Sequence, residues 1–126
     1  MKLKKLVGRM ILKGLHEYTI SVVLNVKGVE STLRVIRFGE VDYGLKILTL
    51  ELEKINDFGI VKELPYMECN ELYTYFMMKY CPSDLTFNVL IEDYSKGGYI
   101  AKRFEVKRVS KIDKDRKEIM LEVCGD

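Results

Sequence analysis

From Tyr18 onward the chain alternates. Ile20, Val22, Leu24 and Val26 fall on one face, and Thr19, Ser21, Asn25 and Lys27 fall on the other with Val23. A period of two marks a half-buried strand. Lys27-Gly28 reads as a turn. Residues 33–38 are β-branched and alternating and form a second predicted strand, with Arg34 and Arg37 on opposite faces. Residues 39–44 carry two glycines and Asp42, and read as a loop. Within 45–55, Leu48, Leu50 and Leu52 alternate with Thr49, Glu51 and Glu53, which gives another strand. An earlier strand is expected over residues 6–13.

Asp57-Phe58-Gly59 breaks the series, and Pro65 introduces a different period. Cys69, Leu72, Phe76 and Tyr80 recur every three or four residues, which predicts a helix over 68–80. Asn70 is the expected cap, Glu68 and Glu71 suit the positive end of the helix dipole, and Pro82 ends the helix. Alternation returns in 85–94 with Leu85, Phe87, Val89 and Ile91. Ser95-Lys96-Gly97-Gly98 reads as a hairpin turn whose two glycines accept positive φ. Residues 99–109 run back, Asp113-Lys114-Asp115-Arg116 turns the chain again, and Ile119, Leu121 and Val123 share one face of the last strand. The predicted fold is α+β and mainly β: an antiparallel β-sandwich or small β-barrel of about seven strands with one helix packed against it. No internal repeat and no linker stand out, so residues 1–126 are read as a single domain.

Composition adds bounds. Of 126 residues, 48% are hydrophobic and 32% charged, with both signs mixed, as on a folded surface. No apolar run approaches the roughly 20 residues that span a bilayer. Arg9 and Lys13 interrupt what would otherwise resemble a signal peptide, and no small-residue cleavage site follows. The expected localisation is cytoplasmic when made, with a virion as a further destination. Cys69, Cys81 and Cys124 lack C-x-x-C spacing, and His16 is the lone histidine. Neither a disulfide framework nor a multi-histidine metal site is expected, and no cofactor is predicted.

Net charge is +2 but unevenly spread. Lys2, Lys4, Lys5, Arg9 and Lys13 meet no acid within residues 1–13. Residues 102–117 hold Lys102, Arg103, Lys107, Arg108, Lys111, Lys114, Arg116 and Lys117 against three acids, while residues 40–71 are acidic. Basic ends around an acidic middle suit copies meeting in complementary fashion, and they equally suit solvated faces of a monomer.

Catalytic constellations are sparse. A Cys–His pair depends on distant segments meeting, and no glycine-flanked nucleophile surrounds either Cys69 or Cys81. Glu51 with Glu53, and Glu92 with Asp93, have the pattern of general acid/base pairs, but so does the polar face of a strand. Asp113-Lys114-Asp115 has the one-apart acids of a calcium loop without its glycine or distal glutamate. Two features point to binding. Tyr73, Tyr75, Phe76 and Tyr80, with Met77 and Met78, go nearly all the way round the helix, more apolar surface than one sheet face buries; Tyr73, Tyr75, Met77 and Met78 are the candidate assembly residues. Lys102, Arg103, Lys107 and Arg108, near Tyr99 and Phe104, are candidate phosphate or partner contacts.

The order helix, strand, glycine-containing hairpin, strand, final strand in residues 68–124 resembles the C-terminal half of tube-type proteins from contractile phage tails. Residues 72–80, the strand 87–93, the turn 95–98 and the strand 104–109 carry the resemblance. It implies a barrel-like subunit with a flanking helix, acting by self-assembly or by joining a tail or baseplate, without catalytic residues. The expected function is a non-catalytic structural or assembly subunit of a phage-like tail or other virion assembly, with copies of itself or other subunits as partners and no small-molecule substrate or membrane partner. The alternative is a small barrel that binds nucleic acid or, like an inhibitor, one protein target. The nucleic-acid reading requires the two basic segments to converge on one face.

Overall fold

An alternating strand has one face to bury, and a sheet that curls until its edges meet buries all such faces together. This chain takes that solution. The computed structural model describes residues 1–26, 28–78 and 84–124. In chain order they form α1 (Leu3–Lys13), β1 (Thr19–Val26), β2 (Val29–Asp42), β3 (Ile47–Leu52), β4 (Ile55–Asn56), β5 (Gly59–Ile60), α2 (Cys69–Met78), β6 (Thr86–Asp93), β7 (Ile100–Asp113) and β8 (Glu118–Val123). Six strands close into a barrel in the order β1, β2, β3, β6, β7, β8 and back to β1. The short β4–β5 hairpin hangs on the end of β6, where Ile55 pairs with Asp93.

The apolar faces meet inside. Ile20, Val22, Leu33, Val35, Leu48, Leu50, Phe87, Val89, Val106, Ile119 and Leu121 are all buried, and α1 and α2 add Leu3, Leu6, Met10 and Leu72 to the same core. The mainly β barrel expectation is met, and the sandwich is not. The strands also depart from an all-antiparallel arrangement, because β1–β8 and β3–β6 pair in parallel. A parallel neighbour needs a long crossover, and the α2 segment supplies it between β3 and β6.

The described residues form two α-helices where one was expected, because residues 6–13 are helical. Leu3, Leu6, Val7 and Met10 are the buried positions, spaced at three and four, and reading from Leu6 alone hides that period. Gly14 closes the helix at φ 64: its N–H donates to Ile11 O and the Leu15 N–H to Met10 O, the paired bonds of a glycine C-cap. At the start of α2 the Glu71 carboxylate accepts the Glu68 N–H at 2.9 Å, so Glu68, and not Asn70, is the capping position. The expected stop at Pro82 lies outside the described residues. The predicted loop at 39–44 is largely strand, since β2 runs to Asp42 through a bulge. In the 95–98 turn the left-handed residues are Lys96 and Gly97, and Gly98 is extended.

The chain is internally repeated, contrary to the sequence reading. Each half is a helix followed by a three-stranded meander: α1, β1, β2, β3, then α2, β6, β7, β8. Their pairings superimpose residue for residue. Val35↔Leu52, Arg37↔Glu51, Phe38↔Leu50 and Val41↔Leu48 in the first half match Val106↔Val123, Arg108↔Glu122, Val109↔Leu121 and Ile112↔Ile119 in the second. The halves also grip each other reciprocally. Leu3 N donates to Leu85 O at 2.8 Å and Cys69 N to Tyr18 O at 2.7 Å; Thr86 N donates to Lys46 O and Thr19 N to Lys117 O, both at 2.9 Å. Met67 N donates to Val35 O at 3.0 Å, and the Met1 amino group to Val106 O at 2.7 Å. Even the cross-strand ion pair recurs, Arg37–Glu51 at 3.2 Å and Arg108–Glu122 at 2.5 Å. The barrel therefore has an approximate twofold axis between two αβββ units.

Candidate functional site

Because β1, β3, β6 and β8 run in one direction, the barrel has two distinct ends. α1, α2 and the turns after β2 and β7 lie at one. The β4–β5 hairpin and the β6–β7 connection lie at the other.

The aromatic helix belongs to the first end, and much of it is used internally. The Tyr75 ring stacks on Phe38 with centroids 4.9 Å apart, and Tyr73 meets His16 edge-on at 5.1 Å. Tyr73, Tyr75 and Phe76 are partly buried against the core, while Met77 is 59% exposed. The side chain of Met78 and all of Tyr80 lie outside the described residues. Cys69, at the start of α2, is buried, and burial pushes its thiol up to about 12. It carries no thiolate at neutral pH. Cys81 lies outside the described residues and Cys124 is exposed.

The candidate carboxylate pairs serve separate structural roles. Glu51 pairs with Arg37, whereas Glu53 is buried, accepting the Arg34 N–H at 2.9 Å and the Tyr66 hydroxyl at 3.2 Å. The Arg34 guanidinium lies 2.5 Å from Glu118 Oε2 and over the Tyr66 ring. Glu92 accepts the hydroxyls of Tyr94 and Tyr99 at 3.0 and 2.9 Å, and Asp93 accepts the Ser95 N–H. Asp113 accepts the turn amides of Asp115 and Arg116, which hold its carboxyl below the usual carboxylate range. Among the described residues, no three His, Cys, Asp or Glu side chains gather as metal ligands.

The candidate cations on β7 are divided. Arg103 lies 3.5 Å from Glu40 and Arg108 2.5 Å from Glu122, while Lys102 and Lys107 are exposed. None of the four lines the basic concavity that the fold does create. That groove holds about 520 Å³ between α1 and the end of β7, and Arg9, Lys13, Ser110, Lys111 and Lys114 stand around Leu15, Tyr18 and Ile112. Both basic runs are visible in the sequence; which of their members meet is set by topology alone.

The opposite end is apolar, and nothing in the periodicity singled it out. Phe58 is 98% exposed at the tip of the β4–β5 hairpin, where the Asn56 side chain accepts its N–H and Gly59 turns the chain at φ 113. Phe58, Ile60 and Val29 border a concavity of about 430 Å³. Val29, at the start of β2, is 63% exposed, and Ile100, its counterpart at the start of β7, is 58% exposed. Tyr99, also exposed, packs its ring 4.9 Å from Tyr94. The hairpin is fastened to the β6–β7 connection, because Tyr94 N donates to Ile55 O at 2.7 Å and Lys96 N to Asp57 Oδ1 at 2.6 Å. No helix among the described residues is long and apolar enough to cross a membrane. No family model, no curated protein and no solved structure matches this chain.

Proposed function

We propose that this protein is a non-catalytic assembly subunit that associates with further copies of itself through the apolar end of its barrel. The observation that carries the reading is Phe58, 98% exposed beside Val29 and Ile60, with Ile100 exposed at the same end of the barrel. A phenylalanine held in water at a fixed hairpin tip gains about 1.5–3 kcal/mol when a partner buries it, and clustered apolar exposure of this kind marks a contact surface. Closure of the six-stranded barrel leaves the two-residue β5 as a free edge at this end, so copies meet chiefly through side chains. The tail-tube resemblance of residues 68–124 supports the same class of function, with a virion assembly as its setting. Among the described side chains of the aromatic helix, Met77 is the exposed assembly candidate, since Tyr73 and Tyr75 pack on His16 and Phe38.

The test is sedimentation velocity on the double variant Phe58→Ser, Ile100→Ser beside the wild type. Both positions are exposed, so the variant should keep the wild-type melting temperature while its association weakens by about tenfold or more, given the apolar area removed. Equal association by the two proteins would refute this surface.

A further inference from the structure

The basic groove at the helical end is independent of the apolar end, and we propose that it binds single-stranded nucleic acid. Its cations come from segments at the two extremes of the chain, Arg9 and Lys13 from α1, and Lys111 and Lys114 from the end of β7 and its turn. Among the described residues none of the four forms an ion pair, whereas Arg34, Arg37, Lys46, Arg103, Arg108 and Lys117 each do. The acids beside them in sequence are Asp115 and Asp113, and Asp113 accepts the amides of Asp115 and Arg116 while Lys111 and Arg116 also act on its charge. Four cations against the two turn carboxylates leave the groove net positive, and like charges gathered in excess oppose folding.

The repeat supplies the control. At the twofold-related position, where α2 meets the end of β2, Tyr75 stands for Arg9, Glu40 for Lys111 and Tyr43 for Lys114, while Lys79, the counterpart of Lys13, lies outside the described residues. There Tyr75 stacks on Phe38, whose counterpart on β7 is the smaller Val109. The counterpart face thus carries Glu40, paired with Arg103, where this one carries Lys111, and here four cations stand outside any ion pair among the described residues.

The lining selects the ligand class. Cations stand on both banks, the floor is Leu15 and Ile112, and the Tyr18 ring is half-buried at the side. A polymer alternating phosphates with flat bases satisfies both parts, phosphates on the cations and a base over the apolar floor and ring. A bilayer surface is broad and does not enter a groove between a helix and a hairpin turn.

Fluorescence anisotropy with a labelled mixed-sequence DNA oligonucleotide tests this, on the full chain, across a salt series. The wild type should bind at low salt, with log affinity falling linearly in log salt. The variant Lys13→Glu, Lys111→Glu should lose about tenfold or more, with a salt slope shallower by about 1.4, on the single-strand value of about 0.7 for each phosphate contact. Lys62→Glu, an exposed lysine outside the groove, should bind as the wild type does, and an equal melting temperature would establish that the double variant is folded. No binding at low salt overturns the proposal, and so does equal binding by the double variant. Binding to phosphatidylserine vesicles without binding to the oligonucleotide also overturns it, in favour of a lipid surface.

Discussion

At the scale of single residues, the most consequential group on the barrel is Arg34. Glu53 and Glu118 are almost fully buried, at 3% and 2% exposure. Arg34 is bound to both, through its backbone N–H to Glu53 and its guanidinium to Glu118, while Tyr66 lies across the guanidinium and donates to Glu53. A buried pair adds little net stability, but removing one partner strands the other charge in a low dielectric. Arg34→Ala should therefore cost about 2–3 kcal/mol, below the roughly 3–5 kcal/mol of a fully buried pair because its side chain is 26% exposed. Arg34→Met with Glu118→Leu should recover most of that loss. Urea denaturation of the three proteins checks both statements, and a single variant within about 0.5 kcal/mol of wild type would mean that Glu118 is solvated after all. Alternation alone put Glu53 on a solvated face with Glu51; the cation, the phenol and the burial come from strands and loops distant in sequence.

At the scale of elements, α2 and α1 show why periodicity reads some segments and misses others. The α2 pattern was legible because Cys69, Leu72 and Phe76 recur at helical spacing over a stretch that starts at its own cap. In α1 the same signal begins at Leu3, among lysines, and ends at a glycine C-cap; a window opening at Leu6 sees Leu6-Val7, Met10-Ile11-Leu12 and takes it for a strand. The aromatic surplus of α2 was real in the sequence, but its destination was not legible, since Phe38 and His16 reach Tyr75 and Tyr73 only through the barrel's closure. Tyr75→Ser should cost about 2–3 kcal/mol, as a large ring is lost from a packed stack. Met77→Ser, by contrast, should stay within about 0.5 kcal/mol of wild type. Thermal melts of the two variants decide the matter. Equal, small effects would return Tyr75 to the exposed surface and restore α2 as the principal contact face.

At the scale of the molecule, the repeat was hidden by its own geometry. Val35, Arg37, Asp42, Lys46, Leu50 and Glu51 recur as Val106, Arg108, Asp113, Lys117, Leu121 and Glu122, yet the offset changes between the first strand of each unit and the rest, because the β6–β7 connection is longer than the β1–β2 one. Lys46 and Lys117 share a left-handed backbone at the same turn position, a match invisible to composition. Gly39, crowded by Thr49 O, corresponds to Ser110, whose hydroxyl bonds Met120 O instead. The parallel seams follow from the same duplication, as two meanders set about a twofold axis meet first strand to last strand. The common direction of β1, β3, β6 and β8 makes the two ends distinct, and divergence between the units leaves the cations of the helical end on the α1 and β7 side.

Self-association through the Phe58 end is the central claim, and solution mass by light scattering over a range of protein concentration and salt tests it most directly. With copies meeting through an apolar contact, the mass should exceed the 14.7 kDa of the monomer, rise with concentration and hold in high salt. A mass that stays at the monomer value at every concentration would contradict it.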